Sequence, residues 1–518
     1  MSTRRLLRAV FAVASVAIAP LAAVSVRAQT VPTGFSIDLA IWGGFTGEPS
    51  GFAFLPDRRV VLLERETGAV RLAAAGAQTT SLIATIPNVA ITDERGLLGV
   101  AVDPAWPTRP YLYFSFTRSD GLSVLVMYTA SGDLSNPAST NVTLSSPYEI
   151  LETPDVQTYH NGGTVRFGLD GKLYATWGDD GSPCHAQDLT WLNGKMVRLD
   201  VSSLPGTGSG PPPKGLITPA DNPFVGNPDL NARLVFVWGM RNPFRFTIDP
   251  LTGDRYIGEV GENLWEEIDR IPAGTGGQNL GWPLREGPAA GTLGLTCGQG
   301  NTFTDPVYSY PHDGINPNAV IGGPIYRGVP SSPMTFPLAY EGSYFFLDWG
   351  AGWIRRIVQV AGVWQLAPAV PGQPAPDRWG DAFLYYSDFQ EGPDGALYLM
   401  RHGGNWGLYR IRHAAPTSVE APLASVTALD VQARPNPGKA GRDVEFSWVA
   451  PRAGRVTLRI FDAVGRRVAQ LDDPRGASRG VLAWSGRDGA GTAVPAGVYF
   501  YRLTGPGGTA GGRVTLLR

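Results

Sequence analysis

The stretch TVRFGLDGKLYA, residues 164–175, carries the reading of the fold. Val165 and Phe167 alternate with other residues, Asp170-Gly171 breaks the run, and a second alternating run follows. Period-two apolarity makes a half-buried strand and an Asp-Gly pair supplies a turn, so the stretch predicts a β-hairpin. The same grammar recurs with Phe52 and Phe54 before Pro56-Asp57, and with Val100 and Val102 before Asp103-Pro104. It returns with Phe246 and Ile248 before Asp249-Pro250, and before Pro393-Asp394-Gly395. No amphipathic helix of any length competes with these runs.

Hairpins repeated at wide intervals, with longer loops between them, predict the blades of a β-propeller whose insertions decorate one face. A large β-sandwich is the rival arrangement. The irregular spacing does not set the blade number, and counting weaker copies near Tyr344 to Ile357 makes it six. The expectation is an all-β chain with a six-bladed propeller over residues 29–413.

With 518 residues and 43% hydrophobic content, the chain exceeds one ordinary core, which favours a large domain plus a smaller one. Gly 66 and Pro 44 make up about a fifth of it, a turn-rich composition below the low-complexity range. The 43 basic and 45 acidic residues nearly balance, and no basic stripe is present, so nucleic acid is not an expected partner.

Arg4, Arg5 and Arg8 precede an apolar run from Ala9 to Val24, and Val26-Arg27-Ala28 follows with compact residues at the positions a signal peptidase reads. Residues 1–28 therefore read as a cleaved secretory signal, with an uncleaved anchor as the alternative. The run contains Pro20 and is short for a bilayer span, and no later segment could span. The mature chain is expected to be exported, to the periplasm, the cell surface or the medium, without a transmembrane segment. Its Cys 2 content is Cys184 and Cys297, which in an oxidising compartment form one disulfide or remain two buried thiols.

Residues 414–435 are rich in Ala, Pro, Ser, Thr and Val and read as a linker. Residues 436–518 hold short strands with Gly turns, enough for a small antiparallel sandwich. Ile460 to Arg466, Trp484 to Asp488, Pro495 to Phe500 and the ending Val514 to Arg518 resemble Ig-like modules of flagellar hook-capping proteins and of C-terminal secretion-sorting domains. That resemblance implies a link to secretion or cell-surface machinery, against the alternative of a passive appendage.

Among five histidines, His160 has the most suggestive setting, in Tyr159-His160-Asn161-Gly162-Gly163 just before a strand. Glycines there let a ligand approach the backbone, and imidazole titrates near neutral pH, as a general base requires. Arg241 and Asn242 precede Pro243, and the arginine offers a fork of donors to an oxygen. Glu259, Gly261, Glu262, Glu266 and Glu267 offer the oxygen ligands that Ca²⁺ prefers.

Glu94-Arg95-Gly96-Leu97-Leu98-Gly99, His160 to Gly163, Leu192 to Lys195, Arg241-Asn242-Pro243, Glu266-Glu267 and Asn279 to Pro283, in this order, resemble the glucose/sorbosone dehydrogenase family. The family also includes the propeller of hedgehog-interacting proteins. The resemblance, over residues 35–413, implies a propeller that binds pyrroloquinoline quinone (PQQ) with calcium. It implies oxidation of an aldose sugar at its C1 hydroxyl to a lactone, with an external electron acceptor. By position, His160 would be the base, Arg241 would stabilise charge on the quinone oxygen, and Glu94, Arg241 and Asn242 would contact the cofactor. Gly261 and Glu262 would offer carbonyls to its calcium, although proline is usual at the second, and Glu267 would bind a further, structural calcium.

The chain also departs from the family. Glu94 stands where cofactor-binding members have glutamine, Gly350 where a lysine contacts the quinone, and Tyr385 and Ser387 where two arginines pair with its carboxylates. Arg355, Arg356 and Arg401 are candidates to replace them. Two other readings follow: a non-catalytic propeller binding glycans or proteins, and a Ca²⁺-dependent hydrolase in which Glu259, Glu262 and Asp179 converge.

Overall fold

The computed structural model describes residues 28–297, 302–314, 317–329 and 332–413, and in the C-terminal part 429–434, 436, 438–439, 444–450, 452, 454–473 and 479–517. The segment read as a secretory signal, except Ala28, and most of that read as a linker lie outside the described residues.

Six sheets built on four antiparallel strands follow one another along residues 35–413. The quoted stretch forms Val165–Phe167 and Leu173–Trp177, the first hairpin of the third sheet, in the register Val165 to Ala175. The hairpins expected at Asp57, Asp103, Asp249 and Asp394 open the first, second, fourth and sixth sheets. The first strands of successive sheets neighbour one another all the way round, the sixth touching the first, so the sheets close into a propeller. The closing strand is Phe35–Ile41, which pairs with Gly407–His413 as the outermost strand of the sixth sheet. That pairing joins the two ends of the ring and covers a sheet edge that would otherwise be free.

The turn aspartates recur for a physical reason. In all five hairpins the carboxylate accepts the backbone N–H two residues on, at 2.9–3.2 Å. In three of them the second oxygen accepts a tyrosine hydroxyl from the next strand, Tyr113 on Asp103, Tyr174 on Asp170 and Tyr398 on Asp394. All five aspartates thus set the turn, and three of them also pin the strand after it.

The fifth sheet departs from the expectation drawn at Tyr344 to Ile357, which holds its second and third strands. Its first strand is Val320–Ile325, where Gly322, Gly323 and Pro324 interrupt the alternation. Gly322 packs against the backbone of the fourth sheet, where an added Cβ would lie 2.4 Å from the Arg245 carbonyl.

Arg245 ties the axis together. Its buried guanidinium donates to the Ser387, Ser50 and Leu98 carbonyls at 2.8, 2.9 and 3.2 Å, and to the Thr164 hydroxyl at 3.2 Å. One side chain of the fourth sheet thereby links the sixth, first, second and third. Burial pulls its pKa down to about 10, leaving it charged at neutral pH.

After residue 428 the described strands form a three-stranded and a five-stranded sheet. Both contribute to one apolar cluster that includes Phe446, Trp448, Leu458, Ile460, Leu503 and Val514. Asp430–Arg434, inside the stretch read as linker, is an edge strand of the smaller sheet, paired with Val444–Val449. Leu429 and Val431 are buried in the cluster, an alternation too short to stand out in the Ala- and Val-rich text around it.

Candidate functional site

His160 precedes the first strand of the third sheet, and Arg241-Asn242 precede that of the fourth, so both motifs stand at the same end of the ring. Between the first strands there, a cavity of about 340 Å³ opens, lined by Glu94, Asn242, Asn318, Trp349, Ser387 and His402 among others. His160 and Arg241 flank it rather than line it.

His160 has φ +62°, a left-handed conformation that costs a non-glycine residue free energy. Its surroundings hold it there. Its N–H donates to Glu94 Oε2 at 2.8 Å, and the next turn is fixed where Gly162 N–H donates to Asn242 Oδ1 at 3.2 Å. Asn242 Nδ2 lies 3.4 Å from the same Glu94 oxygen. Gly178 is required beneath, because a Cβ there would stand 2.0 Å from the His160 carbonyl.

The imidazole Nδ1 meets Asp179 Oδ1 at 2.7 Å, which leaves Nε2 as the nitrogen available to a ligand. Asp179, fully buried, also accepts Gly181 N–H at 2.9 Å and, on its other oxygen, the Trp282 indole N–H at 2.8 Å. A base oriented by a carboxylate that is itself fixed by two donors is the arrangement proton abstraction needs. Asp179 enters the site as this orienting group, 19 residues from His160. Its signal in the sequence is an Asp-Asp-Gly turn closing the hairpin that His160 opens.

Arg241 lies over the Trp282 ring, 5.6 Å from its centroid, and donates through Nε to Glu262 Oε2 at 2.7 Å, with Nη2 on the same oxygen. Glu262 therefore acts through its side chain, holding the arginine. The loop under it is set by Glu286 Oε1, which accepts the N–H groups of Glu262, Asn263, Leu264 and Trp265 at 2.8–3.2 Å. Buried Glu259 accepts the Asn242 N–H at 3.3 Å and that of Arg241.

The carboxylates of the hydrolase reading do not converge: Asp179 is taken by His160 and Trp282, Glu262 by Arg241, and Glu259 by backbone. Among the described residues no three His, Cys, Asp or Glu side chains converge on a metal position. Glu267 is buried across the strand pair from Glu259, on one face with Asp269. Glu259 Oε2, both Asp269 oxygens and Glu286 Oε2 are buried without a hydrogen-bond partner. Burial and the neighbouring carboxylates push Glu267 well above the usual range, and burial pushes Asp269 up to about 8.

The opposite wall comes from the fifth and sixth sheets. No side chain fits at Gly350, where a Cβ would meet the Pro317 carbonyl at 2.0 Å. Tyr385 packs edge-on to Trp349, and Ser387 lines the cavity. Half-buried His402 accepts the Trp349 indole N–H at 2.6 Å, and desolvation lowers its pKa, so it stands neutral. Arg65 lines the cavity but is paired with Glu48 and Glu66. Arg355 is paired with Asp377, and Arg356 is spent on the Ala339 and Pro368 carbonyls and Ser343. Arg401 is different: no hydrogen bond or ion pair holds its guanidinium among the described residues, and its Nε, like those of Arg355 and Arg356, is buried without a partner.

Cys184 and Cys297 are joined as a disulfide, Cα atoms 5.2 Å apart. Among the described residues no helix is long and apolar enough to cross a membrane.

Residues 46–321 match the family model described as Glucose / Sorbosone dehydrogenase. HIPL2 protein of Arabidopsis thaliana is 32% identical over 44% of this chain and 34% of its own length. Aldose sugar dehydrogenase YliI of Escherichia coli (strain K12) is 30% identical over 46% of this chain and 59% of its own. The chain thus spans about a third to three-fifths of the length of these relatives. The PQQ-bound aldose sugar dehydrogenase of Streptomyces coelicolor superposes with a TM-score of 0.51 at 21% identity, over 74% of this chain and 99% of that one, which speaks for the propeller fold. The family match spans more than half of the sequence and takes in the His160, Arg241-Asn242 and Glu259 to Glu267 motifs: the chain belongs to the glucose/sorbosone dehydrogenase family.

Proposed function

We propose that this chain is an exported, PQQ-dependent oxidoreductase that oxidises an aldose at its C1 hydroxyl to the lactone. The observation that carries the reading is the His160–Asp179 pair at 2.7 Å, beside a cavity edged by Asn242 and next to Arg241. A ligand with anionic groups fits this site in one respect above others, because a half-buried arginine, Arg401, stands near the cavity with an unpartnered Nε. When bound, the quinone supplies a two-electron acceptor for the hydride leaving the sugar carbon.

His160 takes the hydroxyl proton at Nε2. Asp179 stabilises the imidazolium through Nδ1, and Trp282 and Gly181 keep that carboxylate from turning away. Arg241, seated on Trp282, brings positive charge to the side where negative charge develops. Glu94 and Asn242 hold the His160 turn as well as edging the cavity. The cofactor's calcium, when bound, would be held by the backbone carbonyls of Gly261 and Glu262, and a further, structural calcium by Glu267. Domain limits of 29–413 for the propeller and 436–518 for an attachment module belong to the same proposal, and the disulfide supports an oxidising compartment.

The test is reconstitution with PQQ and Ca²⁺, followed by aldose-dependent reduction of a dye. His160→Ala should abolish the reduction, and no bound PQQ at saturating cofactor would overturn the reading. A second reading, a non-catalytic propeller that binds glycans or proteins, draws on the cation-poor wall at Gly350, Tyr385 and Ser387. Glycan or protein binding that persists in His160→Ala, without PQQ binding, would favour it.

A further inference from the structure

Arg401 ends the second strand of the sixth sheet, Leu397–Arg401, at the end of the ring that carries His160 and the cavity. It pairs in register with Tyr386, which lies between Tyr385 and Ser387, and the Ser387 hydroxyl reaches the Met400 carbonyl at 3.4 Å. The guanidinium leans on the Tyr386 ring, 5.9 Å from its centroid, and Nη2 stands 3.6 Å from where a Gly404 Cβ would be. His402, the next residue, lines the cavity, and Arg401 flanks it without lining it.

Most arginines of the propeller are committed. Arg65 and Arg241 are held by glutamates, Arg355 by Asp377, and Arg245 by backbone carbonyls. The Arg401 guanidinium makes no hydrogen bond or ion pair among the described residues, and its Nε is shielded from water. A buried donor without a partner carries a desolvation cost that an acceptor would relieve. The wall beside it contributes no competing cation, since His402 is neutral and Gly350 admits no side chain.

We propose that Arg401 supplies the charge-assisted hydrogen bond to a carboxylate of the ligand in this cavity, in place of a cation at Gly350, Tyr385 or Ser387. A planar fork suits a carboxylate, and the Tyr386 ring limits the rotamers the side chain gives up on binding. The inference rests on the quinone reading above and identifies the residue of this chain that would anchor such a cofactor.

The test is direct titration of the full chain with PQQ and Ca²⁺, followed by quinone absorbance, for wild type, Arg401→Met, Arg401→Lys and Arg355→Met. Met keeps the packing on Tyr386 and removes the charge, and should weaken binding at least about tenfold. Lys keeps the charge and loses the fork, and should weaken it by roughly a few fold. Arg355→Met, which removes an arginine already paired with Asp377, should bind as wild type does. If wild type binds and both Arg401 variants bind equally well, the inference is overturned while the quinone reading stands. If wild type does not bind, both fall.

Discussion

The two walls of the cavity are built on different principles. On the side of the third and fourth sheets, His160, Asp179, Trp282, Arg241 and Glu262 form a chain in which each polar group has its partner. On the side of the fifth and sixth sheets, a glycine, a tyrosine and a serine occupy the corresponding ground, and Arg401 keeps a buried donor unpartnered. The geometry of the first wall is complete without a ligand, which is what the proposed transfer of a proton to His160 would need. The second leaves its polar capacity unspent, which is the state of a surface that completes its bonds on binding.

The contrast can be broken first at the wall that carries His160. His160→Ala should lower the sugar-dependent rate by about 10²–10⁴-fold, and Asp179→Asn, which leaves the imidazole misoriented, should also lower kcat, with binding of the cofactor nearly kept in both. Steady-state kinetics beside a cofactor titration separates the two quantities. Arg245 serves both walls, so Arg245→Met should loosen them together. It strands the buried carbonyls of Ser387, Ser50 and Leu98 in three other sheets and the Thr164 hydroxyl, and a loss of about 3–5 kcal/mol in urea unfolding is expected.

Asp180, next to the orienting Asp179, sharpens the comparison through pH. Its carboxylate accepts the Val156 and Gln157 N–H groups, and burial pushes its pKa up to about 6. An acid whose folded pKa is raised is stabilising in its protonated form, so its contribution is full below the unfolded value. It is lost as pH rises towards the folded one. Asp180→Asn removes that titration, and its stability relative to wild type should climb by up to about 3 kcal/mol between pH 4 and pH 7 in thermal melts. The smallest effect is at the join between the walls. Glu262→Gln releases the Arg241 fork and should tighten binding of an anionic ligand by about 1 kcal/mol, read by the same titration. A weaker binding there would mean that Glu262 positions the arginine rather than occupying it.

Much of this molecule was legible before any coordinates. The alternation around each turn aspartate is a local property, and all five hairpins stand where it places them, because an Asx turn is made by residues two apart. The placement of His160, Arg241 and Asn242 at one end of the ring has a similar cause: each lies just ahead of a first strand, where a ring of sheets brings its loops together. The fifth sheet was legible only in part, since Gly322 and Gly323 answer to the backbone of the fourth sheet and not to their own strand. The buried edge strand at Asp430–Arg434 was hidden in the same way, its few apolar residues having meaning only against Phe446 and Trp448.

Hairpins and turn chemistry follow from neighbours along the chain, where a few residues suffice to choose a conformation, whereas the Cys184–Cys297 disulfide joins residues 113 apart. Ring closure by Phe35–Ile41 against Gly407–His413, the union of His160 with Asp179 and Trp282, the capture of Arg241 by Glu262, and the unpartnered Nε of Arg401 depend on groups far apart in sequence. Their partners are chosen by which sheets touch and in what register, and no local pattern encodes that choice.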